Sequence, residues 1–388
     1  MSESHRKRQK LDQPSDEPKD ALGELELVFS GNPSASDLYL LALDEQSGNP
    51  KSSATRPEAL SGDRQDTRVV VTKIFEMAAE KFKQENPQDA QDLLVHASCL
   101  RDFGAYIKVR TMLEESIAIY SKVVQAQADS APAWLGLGKA RLLWIRSTGG
   151  ITDDDDAAGK DSFNLEDAEE DEDDGLDELY KVPKTELEMF KKAGSDFENA
   201  QKHLKAEGEE ARKNWIVVGS AYLDYALFQK DQRKKNPSHL IETLVQALRY
   251  IGKGSDAKRP DADALKLHGM ALYYLADVKQ KSSTDPRDDG SRETADAVAR
   301  LSQARDLVGD RDSDLYYNIS EMLGQAYILQ STTAADDDQV LEAYETGIEI
   351  LVEVLAKYPD KTQLREQLEA FGVLDDDDDG EWDDEDAE

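Results

Sequence analysis

The sequence predicts an all-α protein: an α-solenoid of about five helix pairs, with a disordered acidic insert and an acidic C-terminal tail. Three observations carry this prediction. Pairs of an apolar residue and a glycine recur at helical spacing in five places along the chain. Helix breakers fall between the apolar-periodic stretches. No run of alternating β-branched residues bounded by turn chemistry reads as a strand.

The clearest stretch is Ala131 to Arg146, APAWLGLGKARLLWIR. Trp134, Leu137, Gly138 and Arg141 fall on the spacing W-x2-L-G-x2-Y, with Arg141 in place of the Tyr. A large apolar residue and a Leu three later share one helical face. The Gly beside that Leu carries no side chain, so a partner helix can approach closely. This resembles the first helix of a tetratricopeptide repeat, a helix–turn–helix unit of about 34 residues. Leu100, Phe103, Gly104 and Ile107 form an upstream copy, with Gly104 and Gly138 one period apart. Downstream copies are Trp215, Val218, Gly219 and Tyr222, then Leu265, His268, Gly269 and Leu272, then Leu323, Gly324 and Tyr327. Second helices pack small and large residues against the first. Ser116, Tyr120 and Val123 stand at that spacing before Trp134, and Gly347, Leu351, Val354 and Pro359 repeat the pattern. A tetratricopeptide-like, right-handed stack is the expectation.

In chain order, residues 1–20 read as a disordered basic terminus, with Arg6, Lys7, Arg8 and Lys10 as a candidate nuclear localisation signal. The helical-repeat domain is expected over 21–374. It opens with short helices at Leu22 to Phe29 and Leu38 to Leu43, then a loop from Ser47 to Asp66. A long helix over Thr67 to Gln84 presents Ile74, Phe75, Ala78 and Phe82 on one face and ends at Asn86-Pro87. The expected pairs are 89–109 with 112–126, 131–146 with 183–204, 211–230 with 238–251, 262–281 with 293–308, and 314–330 with 339–358. Asn236-Pro237, Arg259-Pro260 and Asp285-Pro286 mark their turns. A last helix over Thr362 to Phe371 should close the open end, as the terminal elements of solenoids must. Within this domain, 148–182 reads as a disordered acidic insert between a first helix and its partner, where a longer loop costs little entropy. Residues 375–388 read as an acidic disordered tail.

The formal net charge of −35 is unevenly spread. Asp153 to Glu178 holds 15 acidic residues and one Lys, and Asp375 to Glu388 holds 11 acidic residues and no basic one. These segments carry −25 of the total and are too charged and too poor in apolar residues to fold alone. Direct binding of nucleic acid is therefore not expected, because phosphates would be repelled, whereas basic partners are favoured. A single cysteine, Cys99, leaves no disulfide framework, and its helical setting reads as a small buried hydrophobe. No signal peptide opens the chain and no apolar run reaches the roughly 18 residues that span a bilayer, so an intracellular, soluble protein with no membrane partner is expected.

No arrangement of nucleophile and base stands out, so the protein is expected to be no enzyme, with no catalytic residue, cofactor or metal. Asp375, Asp377, Asp379, Gly380 and Asp386 approach a calcium-loop spacing, but Asp replaces the final Glu and no helix follows. No two histidines share the i, i+4 spacing of a helical metal site. One surface is less bland. The first helices of such a stack line its concave groove, and positions beside their large core residues offer Arg101, Lys108, Lys139, Lys213 and Lys266 as candidate contacts to an anionic partner segment. The asparagines that tetratricopeptide co-chaperones set beside their lysines to clamp a C-terminal carboxylate are absent from these positions, so that role is not expected.

With repeats, basic start and acidic tracts in place, the chain resembles the fungal enhancer-of-translation-termination family, which includes a nuclear negative regulator of a prolyl-hydroxylase-like 2-oxoglutarate dioxygenase. The resemblance is strongest over Ser313–Tyr358, in SEMLGQAYILQ and EAYETGIEIL, and thinner over Phe103–Ile145. It implies a nuclear, non-catalytic adaptor that binds the dioxygenase, and translation termination factors with it, with roles in translation termination and hypoxic gene regulation. No partner-binding residue is carried over from it. An alternative resemblance is to histone chaperones of the interrupted-tetratricopeptide type, which bind H3–H4 and place an acidic tract inside their second repeat. Asp153–Glu178 sits in a similar place, although the short opening repeat with its Gly-Asp-Tyr turn is missing.

Overall fold

The computed structural model describes residues 29, 31–47, 67–147, 182–204, 208–231, 236–255, 260–282, 289–334 and 336–374. Over these residues the protein is all-α, with thirteen helices and no strand. The basic cluster Arg6 to Lys10, the helix expected over Leu22 to Phe29 (all but Phe29), the acidic tract Asp153–Glu178 and the tail lie outside the described residues. The helices belong to two compact units, Met1–Ile107 and Lys108–Glu388.

The first unit holds α1 (Ala35–Gln46), α2 (Thr67–Glu85) and α3 (Ala90–Ile107). α1 starts earlier than its apolar residues suggest because Ser34 and Asp37 form a capping box. The Ser34 hydroxyl accepts from the Asp37 N–H at 3.1 Å, and the Asp37 carboxylate accepts from the Ser34 N–H at 3.0 Å. Two orphan donors of the first turn are thereby satisfied. Leu38, Leu41 and Ala42 face inward, and α1 and α2 pack as a pair. α2 buries the four residues expected, Ile74, Phe75, Ala78 and Phe82. Phe75 stacks on Phe103 of α3 at 5.4 Å, and Phe82 on His96 at 5.0 Å.

The second unit holds α4 (Arg110–Ala126), α5 (Ala131–Ser147), α6 (Lys184–His203), α7 (Glu209–Asp231), α8 (Pro237–Ser255), α9 (Ala262–Ser282), α10 (Ser291–Leu307), α11 (Asp314–Thr333), α12 (Asp337–Lys357) and α13 (Thr362–Ala370). Four of the expected pairs are present: α5 with α6, α7 with α8, α9 with α10, and α11 with α12. The fifth expected pair, α3 with α4, is divided between the units at Ile107 and Lys108, where Lys108 adopts a left-handed φ of 58°. α4 packs instead on α5, and α1 with α2 supplies a fifth pair that the repeat pattern did not include. The first helices α5, α7, α9 and α11 also approach one another in sequence along the stack.

The glycines of the motif explain how close the partners come. A Cβ built on Gly138, Gly269 or Gly324 would lie 2.5–2.7 Å from Phe197, Leu301 or Leu351 of the paired helix. Gly136 meets the Tyr120 ring of α4 in the same way, at 2.3 Å. Gly219 is the tightest in kind. Its added Cβ would stand 2.4 Å from Ile251 Cγ1, 2.8 Å from the Ile251 backbone nitrogen and 3.0 Å from the Ala247 carbonyl. Backbone atoms of a packed helix cannot swing aside. Gly219→Ala should therefore destabilise the protein by about 1–3 kcal/mol through overpacking, despite the ~1 kcal/mol that Ala adds in helix propensity. Gly194 of α6 is the control, since its Cβ would meet the Tyr222 hydroxyl at an ordinary 3.4 Å. Gly194→Ala should be neutral or stabilise by up to about 1 kcal/mol. Urea denaturation of both variants checks this, and equal stabilities would refute the close-approach account.

Between α6 and the pair α7/α8 the spacer is aromatic. Phe190 and Phe197 pack edge-on against Tyr222 at 5.7 and 5.4 Å, and Phe190 meets His239 of α8 at 4.8 Å. Arg141 occupies the motif's Tyr position on α5 and reaches Asp196 of α6 at 2.7 Å. Trp134 departs from expectation. It is half-buried at the edge of the core, and its indole N–H donates to the Ala128 carbonyl at 2.8 Å, tethering the α4–α5 turn. The buried indole on α5 is Trp144, which donates to Glu114 at 3.1 Å under the Arg110 guanidinium. α13 closes the stack as expected, burying Leu364 and Leu368 with Leu351, Val354 and Leu355. It ends at Gly372, whose φ of 69° allows the Val373 N–H to reach back to the Leu368 carbonyl at 3.1 Å.

Candidate functional site

A groove of 230 Å³ opens on the first helices α5, α7 and α9 of the second unit. Leu142 and Leu143 line it from α5, Ile216, Val217 and Ala221 from α7, and Leu267 from α9. The helical period sets its two walls. Lys139 and Arg146 flank the leucines seven residues apart on α5, and Val217 and Asp224 stand seven apart on α7. At 1.5 Å per residue each pair spans about 10 Å along its helix. Ser220 completes the polar lining. Val217 remains 37% exposed, an apolar side chain left uncovered on the groove wall.

The electrostatics are lopsided. Two cations stand on the α5 wall and one carboxylate on the α7 wall. Asp224 is exposed as a residue, yet the groove walls crowd its carboxyl and raise its pKa, while Arg146 and Lys139 pull it back down. Arg146 is exposed and makes no ion pair within 4 Å among the described residues. The groove is smaller than the roughly 300–1,000 Å³ of pockets that take a drug-sized molecule or cofactor. It has room for an apolar side chain offered by another protein.

Of the five basic residues expected on this surface, Lys139 lines the groove. Lys266 lies on α9 beside the lining residue Leu267 and is half-buried. Lys213 lies on α7, one turn before Val217, but is 73% exposed and paired with Glu209 at 2.9 Å. Lys108 is exposed at the start of the second unit. Arg101 belongs to the first unit, where its guanidinium grips Asp102 through two bonds of 2.7 and 2.9 Å at 12% side-chain exposure. The sequence reading missed Arg146 and Asp224. The signal was there in the i, i+7 recurrence from Lys139 and Val217, but which helical face stays uncovered depends on how α7 seats against α5.

Other reactive side chains are occupied by packing. Cys99 is fully buried and its thiol is pushed up to about 12, chiefly by burial, so no thiolate forms at neutral pH. His239 faces the Tyr225 hydroxyl at 3.2 Å, and burial lowers its pKa while Glu242 pulls it up. His268 Nδ1 lies 2.8 Å from the Ser255 hydroxyl. Among the described residues no group of three or more metal-ligating side chains converges, and no helix is long and apolar enough to cross a membrane.

No protein-family model matches the chain, and no curated protein does. Among solved structures the chain is similar to a circular tandem repeat protein with novel repeat topology and enhanced subunit contact surfaces. The match has 15% identity and a TM-score of 0.32, and covers 87% of this chain and 73% of that one. A likeness this distant carries no argument about function.

Proposed function

We propose that this chain is a non-catalytic adaptor that holds a segment of a protein partner in the groove of α5, α7 and α9. The observation that carries the reading is the uncovered apolar surface of that groove, centred on Val217 and rimmed by charge. Protein interfaces place their energy in such features, where an apolar anchor is excluded from water inside a polar rim. At a finer level, the resemblance over Ser313–Tyr358 supports a nuclear adaptor whose partner is a prolyl-hydroxylase-like 2-oxoglutarate dioxygenase, acting in translation termination and hypoxic gene regulation. A second reading, a chaperone of H3–H4, is favoured by one feature. The acidic tract joins α5 to its own partner α6, as in the interrupted-repeat chaperones.

Affinity capture from nuclear extract tests both. The bait is the full chain, compared with a Val217→Gln/Leu267→Gln variant that removes apolar lining without adding charge. The expected result is capture of a dioxygenase or of termination factors, lost in the variant. Recovery of H3–H4 in their place would replace the first reading by the second. Identical captures by both baits would show that the groove is not the docking surface.

A further inference from the structure

We infer that the segment seated in this groove is acidic and amphipathic: one bulky apolar side chain flanked by carboxylates, with Arg146 as the principal ion-pair partner. The inference rests on the groove being a docking surface and adds the chemistry of what it takes. Three observations carry it. The lining of Leu142, Leu143, Ile216, Val217 and Leu267 with a volume of 230 Å³ suits a single large anchor. Lys139 and Arg146 stand about 10 Å apart on the same wall, so that wall is positive along the flanks of the anchor. Arg146 is exposed and without an ion pair among the described residues, and its planar fork suits a bidentate carboxylate.

Asp224 gives the site a polarity. It stands on the α7 wall, opposite the cations of α5, so the occupant's carboxylates are repelled from one wall and drawn to the other. A basic segment would meet one favourable carboxylate and two like charges. The preference for acid is local. The chain as a whole carries −35, so its long-range field opposes an acidic ligand and favours a basic one. Selection of an acidic segment must therefore come from short-range contacts inside the groove and not from that field.

The test uses two labelled synthetic peptides of 12 residues with the same leucine positions, one flanked by Asp and Glu and the other by Lys. Fluorescence anisotropy follows their binding to the full chain at physiological salt. The acidic peptide should bind, lose about tenfold in affinity with Arg146→Glu, and lose binding in Val217→Gln/Leu267→Gln. Circular dichroism melts establish that each variant is folded. Any binding of the Lys peptide should be unaffected by the lining variant, which places it on the acidic tracts. If the acidic peptide needs the lining residues but is indifferent to Arg146→Glu, the groove stands as a docking surface and the assigned chemistry is wrong. The chemistry is equally wrong if the Lys peptide is the one displaced by the lining variant. If neither peptide senses the lining variant, the docking reading itself fails. A further variant with the acidic residues of 153–178 changed to Asn and Gln covers competition within the chain. Binding of the acidic peptide to this variant alone would assign the groove to the chain's own tract and overturn the assignment to a partner.

Discussion

Trp215→Ala should cost about 3–5 kcal/mol of unfolding free energy, the range for truncating a buried aromatic. Trp215 is 7% exposed and stacks on Tyr250 at 5.9 Å, and Tyr250 stacks in turn on Tyr222 at 5.8 Å and an interplanar angle of 7°. The Lys253 ammonium lies 5.0 Å from the indole centroid and 5.5 Å from that of Tyr250, beside both rings. Alanine removes the end of this aromatic ladder and leaves a cavity between α7 and α8 that flanking rings cannot fill without leaving their own contacts. Trp134→Ala is the informative comparison, because the same motif position on α5 is half-buried. It should cost about 1 kcal/mol for one lost hydrogen bond, plus the partial burial of its ring. Urea denaturation at neutral pH measures both. A Trp215 variant no weaker than the Trp134 variant would overturn the packing described for the α7/α8 pair.

Arg141→Met should be destabilising by about 3–5 kcal/mol at pH 7, since it leaves a buried carboxylate without its cation. The side chains of Arg141 and Asp196 are only 15% and 8% exposed, and they meet at 2.7 Å. Burial pushes the Asp196 carboxyl up to about 6, and the Arg141 guanidinium pulls it down without fully offsetting that cost. The sign follows from linkage. A carboxyl whose pKa is raised on folding contributes stability in its protonated form, complete below its ordinary value near 3.9 and lost as pH rises through the folded value. Without the guanidinium the folded Asp196 carboxyl is held higher still, so the Met variant should regain much of its loss relative to the parent as pH falls towards about 6. Adding Asp196→Asn to it should restore stability at neutral pH, and Asp196→Asn alone should be close to neutral there. Thermal melts of the four proteins between pH 5 and 7.5 separate these expectations. A Met variant equally unstable at both ends of that range would show that Asp196 is not the group in debt.

The local chemistry of the chain determined its class and most of its elements. Apolar residues at 3.6 spacing, glycines beside them and prolines between them suffice for helices, because those preferences act within a few residues and need no partner. The pairing of α7 with α8, α9 with α10 and α11 with α12 was legible for a related reason. Short connections leave sequential helices few places to pack other than on each other, and Gly219, Gly269 and Gly324 mark the contact lines. α1 was drawn too short because its start depends on Ser34 and Asp37, a polar cap that hydrophobic periodicity does not register.

The tertiary structure decided what periodicity cannot carry. Leu100, Phe103 and Gly104 match the repeat as well as Val218 and Gly219 do, yet α3 joins α1 and α2 in another compact unit. Local pattern says that a face is apolar but not which neighbour will cover it. Trp134 and Trp215 share a motif position and differ in depth, because burial is set by the helices on either side. The same holds for charge. Arg101, Lys139 and Lys213 look alike as basic residues beside an apolar stripe. Packing chelates the first to Asp102, sets the second in a groove and leaves the third paired in solvent with Glu209. Arg146 and Asp224 became site residues only when α5 and α7 came together. A single helix fixes which side chains share its face, and only the approach of a second helix decides whether that face is core, surface or groove.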